Sequence, residues 1–98
     1  MLVHSVFFWL KTDLSADLRK DFEHWLNVLT KLESVDHGYV GVPSSTNRPV
    51  IDRSYSFALT VIFKGIKEHD LYQVDPDHLK FVDEHKGRWS KIVIYDAE

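Results

Sequence analysis

Between Leu2 and Lys11 the chain is apolar at both alternating positions of what reads as a β-strand. Leu2, His4, Val6, Phe8 and Leu10 fall on one face, and Val3, Phe7 and Trp9 on the other. A strand that is apolar on both sides must be covered on both sides. The chain itself supplies one cover. Ser15 is placed to cap a helix whose apolar positions Leu18, Phe22, Trp25, Leu26, Leu29 and Leu32 follow the 3.6-residue period. A second helical stretch runs from Ile66 to Val74. It has to stop near Asp75, because the residue before a proline disfavours the α conformation. Asp75 then caps a new helix with Pro76 at its first position, running to about Lys86.

Three further strands complete the plan. Val35 to Val42 alternates loosely around Gly38 and Gly41, which predicts a bulge or a close backbone approach. Ser54 to Phe63 alternates cleanly, with Tyr55, Phe57, Leu59, Val61 and Phe63 on one side. Ser90 to Tyr95 supplies the last strand. The segment between Pro43 and Arg53 lacks periodicity and reads as a loop. The order is β-α-β-β-α-β, an α+β, ferredoxin-like antiparallel sheet with helices on one face. Residues 1–98 have room for one domain. The uncovered face is expected to pack against a second copy, burying Phe7, Trp9, Ile62 or their neighbours.

Composition narrows the function classes. The 98 residues include no cysteine, which removes disulfides, thiolate nucleophiles and thiolate metal sites and suits a cytoplasmic location. With a formal net charge of −3 and scattered Lys and Arg, the chain lacks the basic stripe of a nucleic-acid binder. The apolar run Val6–Leu10 is too short to span a membrane and has no basic flank of the kind that precedes a signal sequence. No membrane partner is expected.

The chemistry-bearing stretch is Tyr72-Gln-Val-Asp-Pro-Asp-His78, which sets a phenol and an imidazole six residues apart across the proline break. A neutral imidazole can take a proton from carbon beside a carbonyl while a phenol donates to the oxygen, a pairing suited to aldol chemistry. With the loop Arg48-Pro49 and Asp52, the segment Tyr55-Ser-Phe57 and the opening Leu2-Val-His4, this stretch makes the chain resemble the stress-responsive dimeric α+β barrel (Dabb) family. The resemblance implies a homodimeric barrel. Its local similarity to the plant polyketide (olivetolic acid) cyclase branch implies Tyr72 and His78 as catalytic residues. It also implies His4, Phe22, Trp25 and Leu26 as ligand-binding residues and a reaction without cofactor. Asp75 departs from the pattern, since many relatives carry a second histidine there.

Each of these residues also has a structural reading. Tyr72 can anchor packing, His78 can bond a helix cap, His4 can be a satisfied core histidine, and Trp25 and Trp89 can fill the core. Arg48 and Asp52 can pin the long loop. No two histidines form a His-x-x-x-His pair that would place neighbouring imidazoles on one helical face, and His78 and His85 lie two turns apart, so a zinc enzyme is not expected and no metal ligand is assigned. Three functions stay open: a cofactor-free cyclase or lyase acting on a small apolar or aromatic metabolite, a non-catalytic ligand-binding or structural dimer, and, by fold analogy alone, a haem-binding monooxygenase.

Overall fold

A computed structural model describes all 98 residues. Its elements run β1 (Leu2–Leu10), α1 (Ala16–Leu29), β2 (His37–Gly41), β3 (Phe57–Phe63), α2 (Ile66–Gln73), α3 (Pro76–His85), a 3₁₀ turn (Lys86–Arg88) and β4 (Trp89–Ala97). The sheet order is β2-β3-β1-β4, and every neighbouring pair is antiparallel. This is the expected ferredoxin-like plan, with the second helical crossover divided at Asp75. No helix is long and apolar enough to cross a membrane.

Local chemistry sets the boundaries. Ser15 Oγ accepts from the Leu18 amide at 3.2 Å and opens α1. The helix closes at Leu29 rather than reaching Leu32. There the amides of Lys31 and Leu32 turn back to the carbonyls of Val28 and Leu29, three residues earlier, tightening the end into a 3₁₀ turn. Leu32 still packs against the core from that turn. The Asp75 carboxylate accepts from the Asp77 amide at 2.9 Å, so the α2–α3 break follows from the Asp-Pro pair as expected. β2 pairs with β3 in unbroken register, so Gly38 marks a close approach and not a bulge. A Cβ there would stand 2.6 Å from that of Thr30. The irregularity lies in the β1–β4 pairing, between Trp9 and Leu10.

β3 begins at Phe57, three residues later than the alternation from Ser54 predicts. The Asp52 carboxylate accepts from both the amide and the hydroxyl of Ser54, at 2.8 and 2.6 Å, and this side-chain turn holds the segment off the ladder. Loop pinning by Asp52 is therefore real. The arginine that reaches across the loop is Arg53, whose Nε donates to the Ser44 carbonyl at 2.8 Å.

The two faces of β1 fare differently. Leu2, His4, Val6, Phe8 and Leu10 are all buried, under α1, α2 and α3. Leu2, Val6, Phe8 and Leu10 join Leu59, Val61 and Phe63 of β3, Phe22, Leu26 and Leu29 of α1, and Tyr72 and Phe81 in one core. Each fully buried apolar side chain of this size contributes about 1.5–3 kcal/mol. Val3, Phe7 and Trp9 face away and remain half-buried. Phe7 meets Tyr55 and Tyr95 edge-on, with ring centroids 5.1 and 6.3 Å apart, and Lys91 Nζ lies 4.5 Å over the Trp9 ring. No helix of the chain lies over this aromatic surface.

Candidate functional site

The helix-covered side of the sheet is not filled to its edge. β4 is an edge strand, and its inward residues Ile92 and Ile94, paired with Phe8 and Val6, stay 38% and 49% exposed. Beneath them a cavity of about 220 Å³ opens between sheet and helices. Val6, Phe8, Leu29, Leu59, Phe81, Trp89, Ile92 and Ile94 provide apolar walls. Polar groups converge at one end: His4 from β1, Tyr72 and Gln73 from α2, and His78 from the first turn of α3. The volume is below the roughly 300–1,000 Å³ of drug-sized sites and suits a ligand built on a single substituted ring.

The break at Asp75 brings Tyr72 and His78 together. The chain turns between α2 and α3, and the two rings meet at 4.6 Å between centroids, tilted by 51°. Tyr72 is 1% exposed and also packs against Phe63 and His4, at 5.1 and 6.0 Å. Burial, reinforced by the Asp75 charge, raises its phenol far above the ordinary tyrosine range, so the hydroxyl remains protonated and can donate. Burial lowers the pKa of His78, outweighing the opposing pull of the Gln73 backbone carbonyl and Asp75, and the nearby His4 and His69 push the same way as burial. The imidazole is neutral at pH 7, and its Nδ1 is buried without a hydrogen-bond partner. A neutral base thus lies beside a protonated acid.

His4 is 4% exposed, and its Nδ1 lies 2.5 Å from Asp96 Oδ1 on the residue directly opposite in β4. The carboxylate accepts from Nδ1–H and sets the tautomer, leaving Nε2 with the lone pair in the neutral ring. His69 of α2 comes within 5.4 Å of His4, ring to ring, and its Nδ1 contacts the Asp70 carboxylate at 3.1 Å. One ligand atom each from His4, His69 and Asp96 fall within 4.8 Å of one another.

Of the residues the sequence singles out, His4, Tyr72 and His78 line one cavity. The structure does not bring Phe22, Trp25 and Leu26 to its lining. Phe22 and Leu26 are wholly buried, and Phe22 packs behind Phe8 and Phe81, at 5.1 and 5.6 Å. Trp25 turns toward His85 and Lys80 on the far side of the core. Sequence reasoning missed His69 and Asp96. His69 was legible as the residue one helical turn before Tyr72, but Asp96 reaches His4 only through the β1–β4 register.

The stress responsive A/B barrel domain (Dabb) matches residues 2–98, and the chain belongs to that family. Among solved structures it is similar to a Dabb family protein with a ferredoxin-like fold from Mesorhizobium loti. The identity is 25%, the TM-score 0.78, and the coverage 99% of this chain and 94% of that one. A hydroxynitrile lyase from Passiflora edulis has 20% identity and TM-score 0.79, over 98% of this chain and 90% of the other. A dimeric ferredoxin-like protein of unknown function from Thermobifida fusca has 16% identity and TM-score 0.79, over 98% and 88% of the two chains. Comparison with curated proteins finds no match.

Proposed function

We propose that this protein is a homodimer of single domains that binds a small aromatic or apolar carbonyl compound in the cavity under β4. It would carry out cyclase- or lyase-type proton transfer there without a cofactor. The observation that carries the reading is the meeting of Tyr72 and His78 at 4.6 Å on the wall of an otherwise apolar cavity. His78 takes the proton from carbon next to the carbonyl. Tyr72 donates to the carbonyl oxygen as negative charge develops, and His4, held by Asp96, positions the polar end of the substrate. The opposite states of the two groups, a neutral base and a protonated phenol, are what burial produces at this site. The hydroxynitrile lyase with this fold supports the lyase side of the reading. A cavity of this size takes a single substituted ring more readily than a porphyrin, which disfavours the haem alternative. A cysteine-free chain suits a reducing cytoplasm.

The dimer reading rests on the uncovered sheet face, where Phe7, Trp9, Tyr55, Val93 and Tyr95 surround a shallow apolar groove. Similar proteins of this fold described as dimeric support it.

Turnover of a panel of aromatic β-keto thioesters by the wild type, His78→Ala and Tyr72→Phe tests the chemistry. A fall of about 10²–10⁴ with His78→Ala is expected, the usual contribution of a positioned general base. Unchanged turnover in His78→Ala would exclude His78 from catalysis. For the assembly, light scattering of the wild type should give twice the mass of one chain, and Phe7→Asp should give the mass of one.

A further inference from the structure

We propose that His4, His69 and Asp96 form a binding site for one divalent transition-metal ion, best fitted to zinc, beside the polar end of the cavity, which His4 lines. The three residues arrive from β1, α2 and β4, and one donor atom from each lies within 4.8 Å of the others. Two imidazoles and one carboxylate suit zinc or its first-row neighbours, whereas magnesium and calcium prefer oxygen alone. Three protein ligands with a fourth position open is the arrangement of zinc sites that accept an exogenous ligand.

Two features beyond proximity favour a metal. The ladder holds two of the ligands before any ion binds, because His4 and Asp96 are directly opposed in the β1–β4 register and their side chains already touch. The third ligand has the support that metal-bound histidines have. The Asp70 carboxylate lies 3.1 Å from His69 Nδ1, which keeps the proton there and leaves the Nε2 lone pair to ligate once the long 3.5 Å contact from the Gln73 amide is given up. Charge also balances, since Asp96 as ligand and Asp70 behind His69 offset the two positive charges of the ion.

A tetrahedral ion with bonds of about 2.0–2.2 Å holds its ligands about 3.3–3.6 Å apart, so a His4 that ligates through Nδ1 gives up its proton and its 2.5 Å contact with Asp96 opens, while the widest pair closes by on the order of 1 Å. α2 can make that movement. It has eight residues, and Tyr72 is its one buried side chain. Gln73, on the turn after His69, lines the cavity, and its side-chain amide lies 3.5 Å from His69 Nε2, so the site adjoins the cavity through Gln73 and His4. Tyr72 and His78 are not ligands, so their roles do not depend on the ion, whereas His4 and Asp96 would hold the ion in place of positioning the substrate directly.

The test is titration of untagged, metal-free protein with Co²⁺, read by its visible absorption, followed by displacement with Zn²⁺. We expect one ion per chain with the intense bands of a four- or five-coordinate site. His69→Ala and Asp96→Asn should each weaken binding by roughly 100-fold or more. Asp70→Asn should weaken it by about 10-fold, as an outer-shell change does. His37→Ala, at an exposed histidine on β2, two strands across from β1, should change nothing. His69→Ala removes a mostly buried side chain packed on Phe63, and circular dichroism checks that it folds. Absence of saturable binding overturns the proposal. So does binding that survives His69→Ala, or binding lost in His37→Ala, either of which would assign the ion to scattered surface histidines.

Discussion

His78 and His85 lie two turns apart on the same helix, and burial lowers the pKa of both, yet their surroundings suit them to different work. His85 is completely buried. Its ring stacks on Phe81 at 5.1 Å and meets Phe22 and Trp25 at 5.5 and 6.1 Å, leaving no room for a ligand. Arg88 donates to its Nδ1 at 3.0 Å while also pairing with Asp21 at 2.9 Å, so His85 belongs to a clamp tying the end of α3 to α1. His78 is half-buried, faces a phenol and opens onto a cavity. A depressed pKa therefore does not by itself mark a functional histidine. The neighbour that could share the reaction, and the space for a substrate, separate the two.

The contrast is broken most forcefully through activity. If the two histidines differ as described, His78→Ala loses about 10²–10⁴ in turnover, while His85→Gln keeps kcat and loses stability instead. Equal kinetic losses would make the two sites equivalent and the contrast wrong. In the packing, Phe22→Ala beside His85 should cost about 3–5 kcal/mol. Ile94→Ala at the open edge, already 49% exposed, should cost less than about 1 kcal/mol. Urea unfolding measures both. A comparable cost for Ile94 would mean that the open edge is closed in solution.

The pH dependence is smaller and has a definite sign. Both imidazoles have folded pKa values below the ordinary 6.5, so beneath that pH the unfolded chain binds more protons than the folded one. Stability is therefore fullest above pH 6.5 and falls on acidification through the window between 6.5 and the lowered folded values. The slope approaches at most about 1.4 kcal/mol per pH unit for each histidine, and is less for the partly exposed His78. Thermal melts between about pH 7.5 and about pH 5 should show this loss, and His85→Gln should flatten it more than His78→Ala. Stability rising toward pH 5 would contradict the burial argument. The cap is of similar size: Asp75→Ala should cost about 1 kcal/mol through loss of its bond to the Asp77 amide.

Much of the architecture was legible because it depends on short-range rules. The alternation in β1, the period of α1 and the Asp75-Pro76 break each follow from residues within one or two turns of one another. The proximity of Tyr72 and His78 was legible for the same reason, since a single helix break joins them. The start of β3 was not, because Asp52 captures Ser54 by side-chain bonds that a propensity reading does not weigh. Nor was the position of Phe22 and Leu26, which the helical period turns toward the sheet without saying whether they meet a cavity or the packing behind it. The His4–Asp96 contact lay furthest out of reach. It joins residues 92 positions apart through strand register, a long-range property that no local pattern encodes.

The measurement closest to the central claim is a nuclear magnetic resonance titration of the histidine ring nitrogens, with and without benzoylacetone as an aromatic carbonyl probe. The account predicts that His78 is neutral at pH 7 and titrates below 6.5, and that the probe shifts its ring resonances while leaving those of His85 in place. A His78 that titrates at or above 6.5, or a probe that moves His85 and not His78, would contradict it.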